Sequence, residues 1–159
     1  MLNLYVERMI RERGTIMGLL KAENVNDSEF DEQVKVCGTV EREADCLPVG
    51  KYRVCIGKCI YHRRKMPFLV PVDSSQCELC CKARHSHEFG DITAFTSLPC
   101  AMIQPGNGPF TMGRGSILVG EVHAPGYVLK SQPLFTTLYE RIKKAVWRGN
   151  VVTLEIKEV

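Results

Sequence analysis

The chain has 159 residues, of which 45% are hydrophobic and 25% are charged. This composition excludes a disordered or fibrous protein, and the length fits one domain. A net charge of +3 is too small to indicate, by itself, a nucleic-acid or membrane partner. We therefore expect a single globular domain over residues 1–159.

Segments rich in β-branched and aromatic residues recur along the chain with turn residues between them. This pattern indicates a sheet or a barrel rather than a helical bundle. The polar, acidic stretch 23–32 is predicted to be a loop or hairpin tip. The predicted strands cover residues 2–9, 15–21, 34–41, 50–60, 67–72, 99–104, 116–122 and 150–158.

One helix is predicted from Gln132 to Arg148, because apolar residues recur there at helical spacing. Ser131 is a candidate cap for its first turn, and Gly149 for its C-terminal end. The predicted fold class is therefore mainly β, either all-β or α+β. We expect a compact sheet or barrel-like domain with one C-terminal helix followed by a final strand.

The first eight residues carry acidic and basic side chains where a secretory signal has an unbroken apolar core. No window reaches the ~18 apolar residues of a membrane span. We therefore expect a cytoplasmic protein, in which cysteines are free thiols or metal ligands rather than disulfides. Four of the eight cysteines lie in or beside apolar runs and are predicted to be core residues: Cys37, Cys55, Cys59 and Cys100.

Residues 74–90 form a polar insertion rich in cysteine and histidine. A Cys-x-x-Cys pair is followed closely by a third thiol and two imidazoles, and four such ligands could hold a structural zinc ion. An exposed loop with free thiols or a labile disulfide is the alternative. No other cofactor is expected. The candidate ligands are Cys77, Cys80, Cys81, His85 and His87.

Glycine and proline turns mark two further segments. The first contains Thr39-Val40-Glu41 and then Pro48-Val49-Gly50; the second runs from Met102 to Gly108 and continues from Gly115 to Gly120. In order, these segments resemble an uncharacterised family of bacteriophages and of bacteria such as the Bacteroidetes, the domain of unknown function 5675. Its motifs are Thr-Leu-Glu, Ile-Pro-x-Gly-x-Tyr, Ile-His-x-Gly-Asn and Gly-Cys-Ile-x-Val-Gly. The resemblance implies a protein of phage or mobile-element type.

That family pattern is in turn similar to L,D-transpeptidases, in which a cysteine thiolate attacks an amide carbonyl and a histidine takes the proton. The histidine position of the pattern is Gln104 here, and the cysteine position is Ser116. Glutamine cannot accept a proton at neutral pH, and a serine hydroxyl without a base is inert. Catalysis would therefore need His62 or His123 as a substitute base.

The resemblance leaves the turn residues in place around these two substituted positions. Gly106, Asn107 and Gly115 match the family pattern and are the candidate binding positions. The backbone frame of the second segment is thus predicted to be kept, while its reactive pair is replaced.

Three functions are consistent with these features. The leading hypothesis is a non-catalytic binding or structural domain. The alternatives are a peptidoglycan-directed hydrolase or L,D-transpeptidase-like enzyme using Ser116, and a zinc-stabilised adaptor acting through the 74–90 insertion.

The basic run 62–65 lacks the aromatic interleaving of a single-strand binding surface and is predicted to be a solvated loop. The partner is unknown, and a homo-oligomer could form through exposed strand edges.

Overall fold

The structure is a computed structural model that describes residues 1–24, 34–59, 64–72, 101–108, 115–124 and 126–159. These residues form nine strands, one α-helix and a short 3-10 turn at Glu43–Asp45. In chain order the elements are β1 (Leu2–Glu12), β2 (Thr15–Asn24), β3 (Val34–Arg42), β4 (Gly50–Cys59), β5 (Arg64–Pro71), β6 (Ala101–Gln104), β7 (Ile117–Ala124), β8 (Tyr127–Leu129), α1 (Ser131–Trp147) and β9 (Val152–Glu158). The predicted class is confirmed: the protein is mainly β, with a C-terminal helix and a final strand.

The strands form one sheet that closes on itself. Their order is β3-β2-β1-β9-β4-β5-β6-β7-β8, and β3 also pairs with β7. Closure makes a barrel wall from every strand except β8, which extends β7 as a hairpin. Strands β1 and β9 pair in parallel, so the first and last strands of the chain lie side by side. A closed sheet leaves few edges open to further strand pairing.

The barrel interior follows from alternation along the strands. In β1 the side chains of Leu2, Leu4 and Val6 are buried and alternate with half-buried polar neighbours. The same alternation in β9 buries one side of that strand. The helix lays Phe135 and Leu138 into the same core. Each such side chain stabilises the fold by roughly 1.5–3 kcal/mol through burial.

The closing seam between β3 and β7 depends on two glycines that face each other, Gly38 and Gly120. A Cβ atom on Gly38 would lie 2.8 Å from a methyl of Val122, and one on Gly120 would lie 2.8 Å from the Cβ of Val128. These distances are shorter than van der Waals contact allows. The absence of a side chain at Gly38 therefore allows β3 to approach β7, and its absence at Gly120 allows β8 to approach β7.

Several local predictions need correction. The stretch predicted as a loop from residue 23 begins inside β2, which continues to Asn24; residues 25–33 lie outside the described part. Strand β8 was not predicted, because three residues are too few to show a strand pattern. Ser131 is not the helix cap: the residue before the helix is Lys130, with φ +54°, and no side chain caps the first turn. Gly149 does follow the helix with a left-handed φ of +79°.

The cysteines fall into different environments. Cys37 is buried in the core, Cys46 and Cys55 are half-buried, and none of the three forms a disulfide among the described residues. The side chain of Cys59 and all of Cys100 lie outside the described residues, as does the whole 74–90 insertion. In the portion that is described, no helix has the length and apolar character needed to cross a membrane.

Candidate functional site at strands β6 and β7

The structure brings the two substituted positions onto neighbouring strands. Gln104 is the last residue of β6 and pairs with Leu118 in the parallel β6–β7 ladder. Ser116 immediately precedes β7, two residues before Leu118. At the usual rise of a strand, this offset separates Gln104 from Ser116 by about 7 Å along the sheet. The motif positions are thus neighbours in space, as a reactive pair would require.

Both side chains are sealed from solvent. Gln104 and Ser116 are each only 1% exposed. The hydroxyl oxygen of Ser116 accepts a hydrogen bond from the backbone N–H of Met102, at 3.2 Å. This oxygen therefore satisfies a buried donor of the neighbouring strand. In this arrangement Ser116 is part of the wall and is closed off from solvent.

The substitute bases considered from sequence lie beyond what the structure describes. His62 falls outside the described residues, and His123 belongs to β7 by its backbone only, without a described side chain. A base for Ser116 therefore stays a prediction in both cases.

The turn after β6 is fixed by the start of the helix. The N–H of Gly106 donates to the hydroxyl of Ser131 at 3.0 Å, and that hydroxyl donates to the carbonyl of Val119 at 2.6 Å. One buried side chain therefore ties the turn, β7 and α1 together. The carbonyl of Asn107 accepts from the N–H of Val128 at 3.1 Å, while its side chain is exposed. Of the predicted binding positions, Asn107 is exposed, Gly106 is half-buried and Gly115 is buried.

Gly115 is required by both conformation and space. Its φ of +70° lies in the left-handed region that favours glycine. A Cβ there would also lie 3.3 Å from the side chains of Ala101 and Leu47. Gly115 therefore serves the approach of Ser116 to β6, and the structure places it inside the wall rather than on a binding surface.

A buried ion pair that was not predicted from the sequence lies on the inner side of the wall. The guanidinium of Arg8 donates to both carboxylate oxygens of Glu41, at 3.0 and 2.8 Å, and also to the carbonyl of Leu47. Arg8 is 3% exposed and Glu41 is 1% exposed. Burial disfavours the charged guanidinium, but the hydrogen bonds and charge of Glu41 outweigh it and raise the pKa of Arg8.

The sequence did contain a signal for this pair. Arg8 follows Leu2, Leu4 and Val6 at a spacing of two, so strand alternation places it on the inward face. Glu41 belongs to the Thr39-Val40-Glu41 motif and alternates in the same way. The motif is therefore explained in part by the core: its glutamate neutralises an arginine that strand periodicity carries inside.

The proposed zinc ligands, Cys77, Cys80, Cys81, His85 and His87, lie outside the described residues. Elsewhere, the residues with described positions contain no group of three or more His, Cys, Asp or Glu that could hold a metal ion. The zinc hypothesis stays a prediction about the 74–90 insertion.

No protein-family model, curated protein or solved structure matches the chain. The resemblance to the phage-associated family therefore remains an expectation carried by the order of the sequence motifs.

Proposed function

We propose that the chain is a non-catalytic binding or structural domain of phage or mobile-element type, in which a former reactive segment has become part of the barrel wall. The observation that carries this proposal is the burial of Ser116, whose hydroxyl oxygen is engaged by the N–H of Met102. A nucleophile must reach its substrate and a base must take its proton. Ser116 is sealed between two strands beside a glutamine, so its hydroxyl does not reach a substrate, and this supports a non-catalytic role.

The backbone around Ser116 supports the same proposal. Gly115 and the Gly106 turn keep the geometry of the motif, yet each has a packing or hydrogen-bonding reason to be where it is. Retention of these residues is therefore expected from the fold alone. Their retention does not require that a reaction takes place at this part of the barrel wall.

The proposal is tested by offering Ser116 the substrates of the alternative. Purified wild type and Ser116→Ala are incubated with peptidoglycan sacculi and with a serine-reactive fluorophosphonate. An active L,D-transpeptidase is the positive control for the sacculi, and an active serine hydrolase is the positive control for the fluorophosphonate. We expect no muropeptide product from either protein and no labelled peptide containing Ser116 from wild type. Product or label that disappears in Ser116→Ala would establish the hydrolase or transpeptidase-like alternative.

A second variant tests whether a negative result is caused by the burial of the two positions or only by the residue types that occupy them. Gln104→His combined with Ser116→Cys restores the residue types of the family pattern at both positions. Because the two positions are buried, we expect this double variant to stay inactive as well. Activity gained by the double variant alone would show that the site is open to substrate and that only its side chains were lost.

A further inference from the structure

A groove of about 520 Å³ lies between β5 and the C-terminal half of α1, on a different surface from Ser116. Cationic and aromatic side chains line much of it: Arg64, Lys65, Tyr139, Lys143 and Trp147. The indole of Trp147 is 75% exposed, which is unusual for so large an apolar side chain. An exposed tryptophan in a concave, charged setting marks a contact surface.

The aromatic and cationic side chains of this groove make cation–π contacts with each other. The guanidinium of Arg64 lies 4.9 Å from the ring centre of Tyr139, and the ammonium of Lys143 lies 4.4 Å from that of Trp147. Tyr139, Lys143 and Trp147 follow one another at intervals of four residues, so they share one face of the helix. Cation–π contacts restrict these long side chains before any partner arrives.

The charge of this surface is strongly one-sided. Lys65 and Lys143, with Arg64, face the single carboxylate of Glu140 among the residues lining the groove. On the other flank of the helix, a smaller recess of about 110 Å³ is lined by further cations and by no carboxylate. Those cations are Arg141, Lys144 and Arg148. A partner that spans this end of the helix must therefore be anionic along its length.

We propose that the groove binds single-stranded nucleic acid, with phosphates on Arg64, Lys65 and Lys143 and a base stacked on Trp147. Cations that track the backbone together with an exposed aromatic for stacking are the two features that sequence-tolerant single-strand binding requires. In the sequence, the basic run lacks interleaved aromatics; the fold supplies them from the helix.

The surface fits a membrane less well. A helix that lies on a membrane inserts an apolar face, but the apolar face of α1, with Phe135, Leu138 and Ile142, is buried in the barrel core. Trp147 is left as the one exposed large apolar side chain lining the groove. A duplex also fits less well, because its bases are already stacked and cannot lie on Trp147.

This inference rests on the proposed binding function and adds to it the class of the partner, a single-stranded nucleic acid. The two are tested by different measurements, since catalysis at Ser116 is read from muropeptides and binding at the groove from an oligonucleotide. A failure of one assay therefore leaves the result of the other intact.

Trp147 is the only tryptophan of the chain, so its fluorescence reports on this groove alone. We expect 12-residue oligodeoxythymidine and oligouridine to quench it, since a stacked base quenches an indole. Relative binding of the two oligomers separates a DNA partner from an RNA partner. Binding should weaken as salt rises from 50 to 200 mM, because phosphate contacts release counterions.

The variants are compared by fluorescence polarisation of a labelled oligomer on the full chain. Trp147→Ala should weaken binding about tenfold through lost stacking, and Lys143→Ala should weaken it and flatten its salt dependence. Lys51→Ala, which removes an exposed cation of β4 outside the groove, is the matched control and should bind as wild type does.

Three results would overturn the proposal. These are the absence of oligomer binding at 50 mM salt, equal weakening by Lys51→Ala and Lys143→Ala, and unchanged affinity in Trp147→Ala. Binding of phosphatidylserine vesicles with a blue shift of Trp147, without oligomer binding, would instead assign the groove to a membrane surface.

Discussion

Two regions of the molecule, the β6–β7 part of the barrel wall and the groove between β5 and α1, differ in their exposure to solvent in a way that the sequence does not reveal. The first resembles a reactive segment in sequence, yet Gln104 and Ser116 are each 1% exposed. The second resembles no known motif, yet it exposes Trp147 in a groove that is also lined by three cations. A sequence pattern can therefore reflect the requirements of a backbone, while a surface available to a partner is assembled from elements distant in the chain.

The physical reason is that the two regions obey different constraints. At the β6–β7 edge, Gly115 and Ser116 must satisfy close packing and a buried N–H donor. Most replacements there would cost stability. In the groove, Arg64 and Trp147 contact solvent, so the core does not dictate their identity. Their cation–π contacts restrict these side chains, but core packing does not require a cationic and aromatic composition at the surface.

The largest expected effect on stability concerns the buried ion pair of Arg8 and Glu41. Arg8→Met leaves the carboxylate of Glu41 buried and unpaired, so we expect the free energy of unfolding to fall by about 3–5 kcal/mol. Urea denaturation followed by circular dichroism measures it. The double variant Arg8→Met, Glu41→Leu removes both charges and should recover most of the loss. A single variant within ~1 kcal/mol of wild type would mean that the pair is open to water.

The thiol of Cys37 tests whether the β3–β7 seam is closed. Burial raises the pKa of Cys37 to about 11 from an ordinary value of 9.0. The thiolate fraction at pH 8 is then about 100-fold lower than in an unfolded chain, and alkylation should slow at least as much. Pulse labelling with iodoacetamide and peptide mass spectrometry gives the rate, with half-buried Cys46 as an internal comparison. Equal rates at the two cysteines would contradict a closed seam.

The sign of the pH dependence follows from the same shift. The folded state favours the neutral thiol of Cys37, because burial raises its pKa from 9.0 to about 11. The neutral thiol therefore contributes fully to the free energy of unfolding below pH 9.0, and this contribution is lost as the pH rises towards about 11. Cys37→Ala should remove that part of the decline.

An intermediate effect is expected at the motif serine itself. Ser116→Ala removes the hydroxyl that accepts from the buried N–H of Met102, which should lower the free energy of unfolding by about 1–3 kcal/mol. Thr153→Ala is a suitable control, because it removes a half-buried strand hydroxyl bonded to Asn3, where water can substitute. If Ser116→Ala were as stable as wild type, the hydroxyl would be free for another role.

The smallest effect on stability is expected in the groove. Trp147→Ala should change the free energy of unfolding by no more than about 0.5 kcal/mol, because the side chain is mostly exposed. Phe135→Ala, on the buried face of the same helix, should cost about 3–5 kcal/mol. Thermal denaturation of both variants separates the two faces. A large loss in Trp147→Ala would make the tryptophan a packing residue and weaken its assignment to a contact surface.

Periodicity made most of the fold predictable. Alternation in β1 and β9 and the apolar stripe of α1 are local patterns, so both strands and the helix could be placed from sequence within a few residues. Strand β8 escaped because only Val128 of its three residues is buried. The role of Ser131 escaped for another reason: its partners, Gly106 and Val119, are distant in sequence, and capping is only a local rule.

The sequence by itself determined the β-rich class, the C-terminal helix and the positions of the motif residues, because these depend on neighbours two to four residues apart. Only the tertiary structure decided what those residues do. Tertiary packing buried Ser116 and Gln104, paired Arg8 with Glu41, and placed Arg64 and Trp147 in the lining of one groove. Access, pairing and charge clustering depend on contacts between segments far apart in the chain.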